Sequence, residues 1–570
     1  MILEKAQRNY LPKSLNIDWH TLEPLFNELL NREIDSVKSL EKWLKDKSEL
    51  EAALEEDFAW RYIKMSCDTA NEDLVKSFQY FAMEIEPKIA PIANELNKKL
   101  MECEFVKELD QEKYFVYLRS IKKSLELFRE KNIPLQTELQ VEQQKYQGIT
   151  GAMSVTLNGH EYTLEQAANF LKDLDRKVRQ EAWKSITERR LQDKDVLNDL
   201  FDKLKSIRHQ VALNADFKNF RDYMFAALGR FDYTAQDCLD FHDAIEKEVV
   251  PLLSAQAEER KTLLKLPELK PWDTEVDTSG KKPLKPFDNG EELIEKSTRC
   301  FNKLDAYLGS RLEIMKANGL FDVESRKGKA PGGYNYPLAE TGAPFIFMNS
   351  ANSFRDLTTM VHEGGHAVHT FLTADLELND FKHCPSEVAE LASMSMELIS
   401  MDHWDEFFKD PEELKRAKRY QLRDVLKTLP WVAVVDAFQH WIYTNPEHTS
   451  AERTKAWTQI FTRFGANFVD WTGHQEALEN LWQKQLHIFE VPFYYIEYAI
   501  AQLGAIAVWK NYKENPEQGL ANYITALKLG YTKNIKEIYQ TAGIEFNFSA
   551  AYIKELMDFV KKELQKLEDN

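Results

Sequence analysis

The stretch Asp356-Leu-Thr-Thr-Met-Val-His362-Glu363-Gly364-Gly365-His366-Ala-Val-His369-Thr-Phe-Leu-Thr373 decides how the rest of the chain is read. Leu357, Val361, Val368, Phe371 and Leu372 fall on one side of a predicted helix, and His362, His366 and His369 fall on another. A four-residue step leaves His362 and His366 pointing the same way one turn apart. In that geometry two imidazole nitrogens can converge on one Zn²⁺ at about 2.0–2.1 Å. Glu363, one step round the helix, can then serve a water on that metal as general base. The bare spacing could arise by chance among 13 histidines. Gly364 and Gly365 strengthen it, because each glycine inside a helix costs about 1 kcal/mol relative to alanine and needs a compensating reason, such as close approach of another backbone.

A catalytic zinc takes three protein ligands and keeps one position open, so a third donor is expected elsewhere. A metzincin would carry Gly and His where this chain has His369 and Leu372, which excludes that class and leaves a glutamate. Downstream, Pro385 can open a helix. The run Val388 to Met401 is apolar or small except for Glu390 and Glu397, which lie seven residues apart on one face. Two carboxylates in such a run are costly unless paired or coordinated. Coordination by Glu390 and a hydrogen bond between Glu397 and a ligand imidazole would satisfy both. Glu387 competes as the ligand, although its place at the helix N-terminus also suits a carboxylate.

HEGGHAVH (362–369) followed by SEVAELASMSME (386–397) resembles the thimet oligopeptidase and oligoendopeptidase F superfamily of zinc metallopeptidases, in its oligoendopeptidase F-like branch. The likeness takes in Arg326 to Lys329, Gly333-Tyr334, Phe347-Met348-Asn349 and HIFEVPFYYIEYAIAQLGA (487–505), so it spans residues 326 to 505. The resemblance implies a mainly α fold, neurolysin-like, with two helical lobes around a deep substrate channel and a small β-element near the active-site helix. It implies one Zn²⁺ per chain, short unfolded peptides as substrates, and hydrolysis of internal peptide bonds. The family's glutamate ligand lies in an AExAS segment, here Ala389 to Ser393, which favours Glu390 over Glu387.

His487, Tyr494 and Tyr498 match the family's residues that face the polarised carbonyl, where a phenolic hydroxyl can donate to a developing oxyanion. Tyr495 takes a tyrosine's place if the local alignment slips by one. By the same analogy the strand Phe345 to Asn349 offers its edge to an extended peptide, and Tyr334 with the glycines before it forms a wall of the site. His369 and Asp356 are candidates for supporting or ordinary structural roles. A metallocarboxypeptidase or dipeptidyl carboxypeptidase is the alternative within the enzyme class. It would need a cation, such as Arg326, Arg355 or Arg463, for the substrate's C-terminus. A catalytically silent peptide-binding protein is the alternative outside that class, and the intact Glu363 argues against it.

At 570 residues and 66.6 kDa the chain exceeds the size at which single cores stop growing. The expected division falls near residue 150, with an N-terminal helical lobe over 1–150 and the catalytic part over 151–570. The first shows stripes such as Leu22, Leu25, Phe26, Leu29 and Leu30. A hairpin is predicted where Met153 to Leu164 alternates around Asn158-Gly159. Thr163 and Gln166 then form a capping box that opens helical patterning to about Leu266, interrupted at Asn214 to Phe220. Pro267 to Gly290 reads as an exposed connection.

A net charge of −19 without a Lys/Arg stripe argues against nucleic-acid binding. Neither an apolar run of about 18 residues nor a signal-peptide h-region is present in the sequence. The five scattered cysteines lack a CxxC pair and fit a reducing compartment. The expectation is a cytoplasmic enzyme without membrane or nucleic-acid partners, its oligomeric state left open.

Overall fold

The computed structural model describes residues 2–569 apart from 327, 331 and 467. Among the described residues helices hold 71% and strands 4%, as the mainly α reading expects. The chain forms two compact units, each assembled from separated stretches. The first comprises Met1–Glu126, Leu284–Arg419 and Ala501–Phe546, and the second Leu127–Pro283, Tyr420–Ile500 and Asn547–Asn570. No helix among the described residues is long and apolar enough to cross a membrane.

In the first unit, the helix Val37–Cys67 starts at a capping box between Ser36 and Ser39 and carries Leu40, Trp43, Leu44 and Leu50 into a core shared with Leu22, Phe26 and Leu29. The Trp43 indole N–H donates to Leu29 O at 2.9 Å, so the largest buried side chain there leaves no polar atom unpaired. A three-stranded sheet sits directly before the HEGGH helix. Its middle strand, Ala343–Ser350, pairs in parallel with Phe321–Glu324 and antiparallel with Tyr334–Leu338.

This corrects the expectation that Phe345 to Asn349 presents a peptide-binding edge. Ile346 faces Phe321 on one side and Asn335 on the other, so the ladder is occupied on both, and residues 343–348 are all buried. Lys329 locks this arrangement, its buried ammonium donating to Asp322 Oδ1, the carbonyls of Asp322 and Glu324, and Met348 O.

In the second unit the predicted hairpin is present, Ser154–Leu157 against His160–Thr163, with Asn158 and Gly159 at φ 52° and 79°. Both central residues in the left-handed region make the turn that matches strand twist. The Thr163/Gln166 capping box also forms, although its helix is short, Leu164–Ala168. The helices Arg176–Gln192, Lys194–Asn214, Phe220–Ala227, Ala235–Glu248 and Val250–Leu263 follow.

The stretch read as an exposed connection is instead anchored. Leu269, Trp272 and Val276 are buried. The fully buried Asp273 accepts from Arg176 at 2.7 Å and Arg179 at 3.0 Å. Burying that carboxylate is offset by two guanidinium donors, which turn a Pro-rich segment inward.

Candidate active site

The HEGGH helix, Phe354–Thr373, is started by a capping box in which Ser353 accepts from Asp356 N and Asp356 accepts from Ser353 N. Asp356 therefore has a structural role. The helix packs on Ser386–Ile399, and the two glycines are what allows it. A Cβ at Gly365 would stand 2.7 Å from Ser393 Cα and 2.8 Å from Ala392 O, and one at Gly364 would meet the Phe301 ring at 2.7 Å. The close approach expected from two costly glycines is present.

Tyr523 and Tyr539 also hold the second helix, donating to Ala392 O at 2.6 Å and Glu387 O at 3.1 Å. Glu387 is buried beside this anchor and does not join the donor group described next.

The approach brings His362, His366 and Glu390 together. Glu390 Oε2 lies 3.4 Å from His362 Nε2 and 3.7 Å from His366 Nε2. Donors bound to one tetrahedral zinc at about 2.0–2.1 Å stand about 3.4 Å apart, so the set fits such an ion with little movement. Glu397 Oε1 is 2.7 Å from His362 Nδ1, which leaves Nε2 for the shared centre. Ser393 donates to Glu390 Oε2 at 3.0 Å. Both imidazoles keep about a fifth of their side-chain surface exposed, 22% and 20%, so the donors are reachable.

Burial pushes the Glu390 carboxyl up, but His362 and His366 hold it at about 2. Glu363, 7% exposed, is pushed up to about 7 by burial, with His362 opposing and Glu390 and Glu397 adding to the rise. A carboxylate with that affinity can take and return a proton near neutrality. His369 stands apart from the group: its Nε2 is 3.5 Å from Cys384 Sγ, and burial lowers it to about 4. Tyr334 is stacked on Phe347, ring centroids 4.7 Å apart and 2° from parallel, with Tyr62 5.3 Å away.

In the second unit His487 and three tyrosines form one aromatic group. The His487 ring lies 4.8 Å from Tyr495, 5.9 Å from Tyr498 and 6.1 Å from Tyr494. The state of His487 follows from its neighbours. The Trp431 indole is a donor only, and it bonds Gln485 Oε1 at 3.1 Å. The Gln485 amide NH₂ must therefore face His487 Nδ1, 2.8 Å away. Nδ1 accepts, so the neutral ring carries its proton on Nε2. Burial lowers His487 to about 4, which keeps it in that donor form at neutral pH.

Phe493, immediately before Tyr494, has φ 68°, strained for a bulky residue. Gln439 accepts from its N–H at 2.5 Å, and Arg230 donates to its carbonyl. Arg230 also pairs with Glu497 at 3.0 Å. Gln485, Trp431, Gln439 and Arg230 were not singled out by sequence reasoning, because nothing in their local pattern marks them.

Solved structures share this fold end to end. "PZ peptidase A with inhibitor 2" superposes with TM-score 0.89 at 26% identity, covering 96% of this chain and 97% of that one. A putative oligoendopeptidase F also gives 0.89 at 26%, covering 97% and 98%. Among curated proteins, an oligoendopeptidase F homolog of Borreliella burgdorferi is 23% identical over 99% of this chain and 94% of its own length. Oligopeptidase PepF of Bacillus subtilis is 23% identical over 70% of this chain and 59% of its own. The fold is that of helical peptidases. Peptidase family M3 matches residues 169–558 and the Peptidase M3 N-terminal domain matches 14–128, and the chain belongs to that family, on its oligoendopeptidase F branch.

Proposed function

We propose that the chain is a zinc-dependent oligoendopeptidase that hydrolyses internal bonds of short unfolded peptides, with one catalytic Zn²⁺ held by His362, His366 and Glu390. The observation that carries this reading is the convergence of those three donors at 3.4 and 3.7 Å, beside the buried Glu363 carboxylate. Zn²⁺ bound there would supply Lewis acidity, polarising the scissile carbonyl and acidifying a water.

Glu363 takes the proton from the attacking water and passes it to the departing amine. Glu397 orients His362 through Nδ1. By family likeness, His487 through its Nε2–H and the hydroxyls of Tyr494 and Tyr498 donate to the carbonyl oxygen as negative charge develops, with Tyr495 the substitute for either tyrosine. Arg326 and Arg463, which a carboxypeptidase could use to hold a substrate C-terminus, are already paired, Arg326 with Asp322 at 2.6 Å and Arg463 with Asp243 and Glu246 at 2.5 Å. Arg355, the third cation named for that role, is not accounted for by such a pair among the described residues, so the endopeptidase reading rests on the likeness to oligoendopeptidase F proteins.

The test is cleavage of internally quenched peptides carrying free or amidated C-termini, before and after metal removal by a chelator. Equal cleavage of both peptides at internal bonds, lost on chelation and restored by Zn²⁺, is expected. Cleavage confined to free C-termini would overturn the endopeptidase reading, and undiminished activity of metal-free protein would overturn the zinc reading.

A further inference from the structure

Among the described residues, two groups of side chains place one donor each within 4.8 Å of one another: His362, His366 and Glu390, and a second set, Cys238, Asp436 and His440, lying wholly in the second unit. Cys238 comes from the helix Ala235–Glu248, while Asp436 and His440 lie one turn apart on Pro411–Thr444. All three are deeply buried, at 2%, 0% and 4% exposure. Asp436 Oδ2 is 3.3 Å from His440 Nε2, the spacing of two donors on one tetrahedral ion.

His242 stands behind the carboxylate, its Nε2 2.9 Å from the same oxygen, as the imidazole that orients a ligating carboxylate from outside does. His440 Nδ1 and the Oδ1 of Asp436 are buried without a hydrogen-bond partner, and His440 Nε2 has only the 3.3 Å approach of Asp436 Oδ2. Each such atom is costly to leave so. The surroundings are apolar: Phe493 and Phe225 pack edge-on against His440 at 5.4 and 5.8 Å, and Phe464 against His242 at 6.3 Å.

We propose that Cys238, Asp436 and His440 form a second, buried metal site, with His242 positioning Asp436. The donor set, one thiolate, one carboxylate oxygen and one imidazole nitrogen, suits Zn²⁺ best among common divalent ions. Binding replaces the Cys238 thiol proton, which leaves to solvent, so uptake releases one proton per ion. The ion acts on the packing around it rather than on substrate. His440 packs on Phe493, the strained residue that turns the chain into Tyr494, and Gln439, next to His440 in sequence, accepts from the Phe493 N–H. A metal here stiffens the turn that carries the tyrosines. The expected content rises from one ion per chain to two.

The test is metal analysis of the full chain after dialysis. Wild type should hold about two zinc ions per chain, a His362→Ala/His366→Ala variant about one, and the same variant with Cys238→Ser and His440→Gln about none. A His362→Ala/His366→Ala chain that is folded and metal-free overturns the proposal. Should the four-fold variant not fold, cobalt loading of His362→Ala/His366→Ala decides. A thiolate-to-cobalt charge-transfer band supports the site, and bound cobalt without that band, or no cobalt uptake, overturns it. A wild type holding one zinc that survives His362→Ala/His366→Ala would keep the second site and sink the catalytic one.

Discussion

The two chemically loaded regions are built in opposite ways. The His362/His366/Glu390 group is made by two helices whose own spacing aims each donor, and its main long-range requirement is that they pack closely, which Gly364 and Gly365 permit. The His487/Tyr494/Tyr495/Tyr498 group is made by a short helix, Leu486–Glu490, a strained turn at Phe493 and the start of another helix, and it is held in place by Gln485, Trp431, Gln439 and Arg230 from other parts of the chain. The first is specified locally and the second by its neighbours. The difference teaches where substitutions far from the chemistry should matter.

The largest effect that sharpens this contrast lies in the tyrosines. Tyr494→Phe, Tyr495→Phe and Tyr498→Phe, made singly, should separate into those that lower kcat by about 10²–10³-fold, having lost an oxyanion donor, and those that change it little. The expectation places Tyr494 and Tyr498 in the first set, with zinc content unchanged in all three. Steady-state kinetics with metal analysis checks this. Three silent variants would remove the second region from catalysis.

Next is Gln485→Leu, which leaves every proposed ligand and donor in place but frees His487 Nδ1. Loss of a residue that orients another typically costs about 10–100-fold, here expected in kcat with KM little changed. The pH profile reads the same point. His487 is lowered to about 4, so its neutral donor form is complete at neutral pH and is lost only as pH falls through about 4. Wild type should show no inflection from His487 above about pH 5. In Gln485→Leu, freedom for the ring to adopt the other tautomer lowers the plateau without moving the alkaline limb. A Gln485→Leu enzyme with wild-type kcat would show that the tautomer is not being held for catalysis.

The smallest effect probes the close packing that the first region demands. Gly365→Ala puts a methyl 2.7 Å from Ser393 Cα, a backbone atom, and should destabilise the chain by about 1–3 kcal/mol and weaken zinc retention. Gly364→Ala meets only the Phe301 ring, which can shift, and should cost less. Denaturant unfolding of the two variants measures the difference. The reverse order would mean that the helix pair is not what sets the donor geometry.

This contrast also explains what could be read from the residues alone. The histidine pair, Glu363, Glu390 and Glu397 were legible because helical periodicity carries them, and the glycines were legible as a close contact though not as contacts to Ser393 and Phe301. Gln485 and Trp431 were not, since a glutamine or tryptophan becomes informative only when its partner is known. The middle strand was misread as an edge because its apolar run, Ala343 to Met348, reports that both faces are covered and says nothing of which strands pair beside it. The stretch after Leu266 was misread as exposed because its prolines and charges outweighed Leu269, Trp272 and Val276, which turned out to be its anchors. The two units draw on alternating parts of the chain, and periodicity within one element says nothing of which unit it joins.

The central claim is that Glu363 is the proton-transferring base beside a zinc held by His362, His366 and Glu390. Glu363→Gln keeps the side-chain shape and removes the charge, so peptide turnover and zinc content measured on one preparation test it directly. Turnover should fall by about 10²–10⁴-fold while bound zinc equals that of the wild type. A Glu363→Gln enzyme that is fully zinc-loaded and still turns over at the wild-type rate would contradict the account.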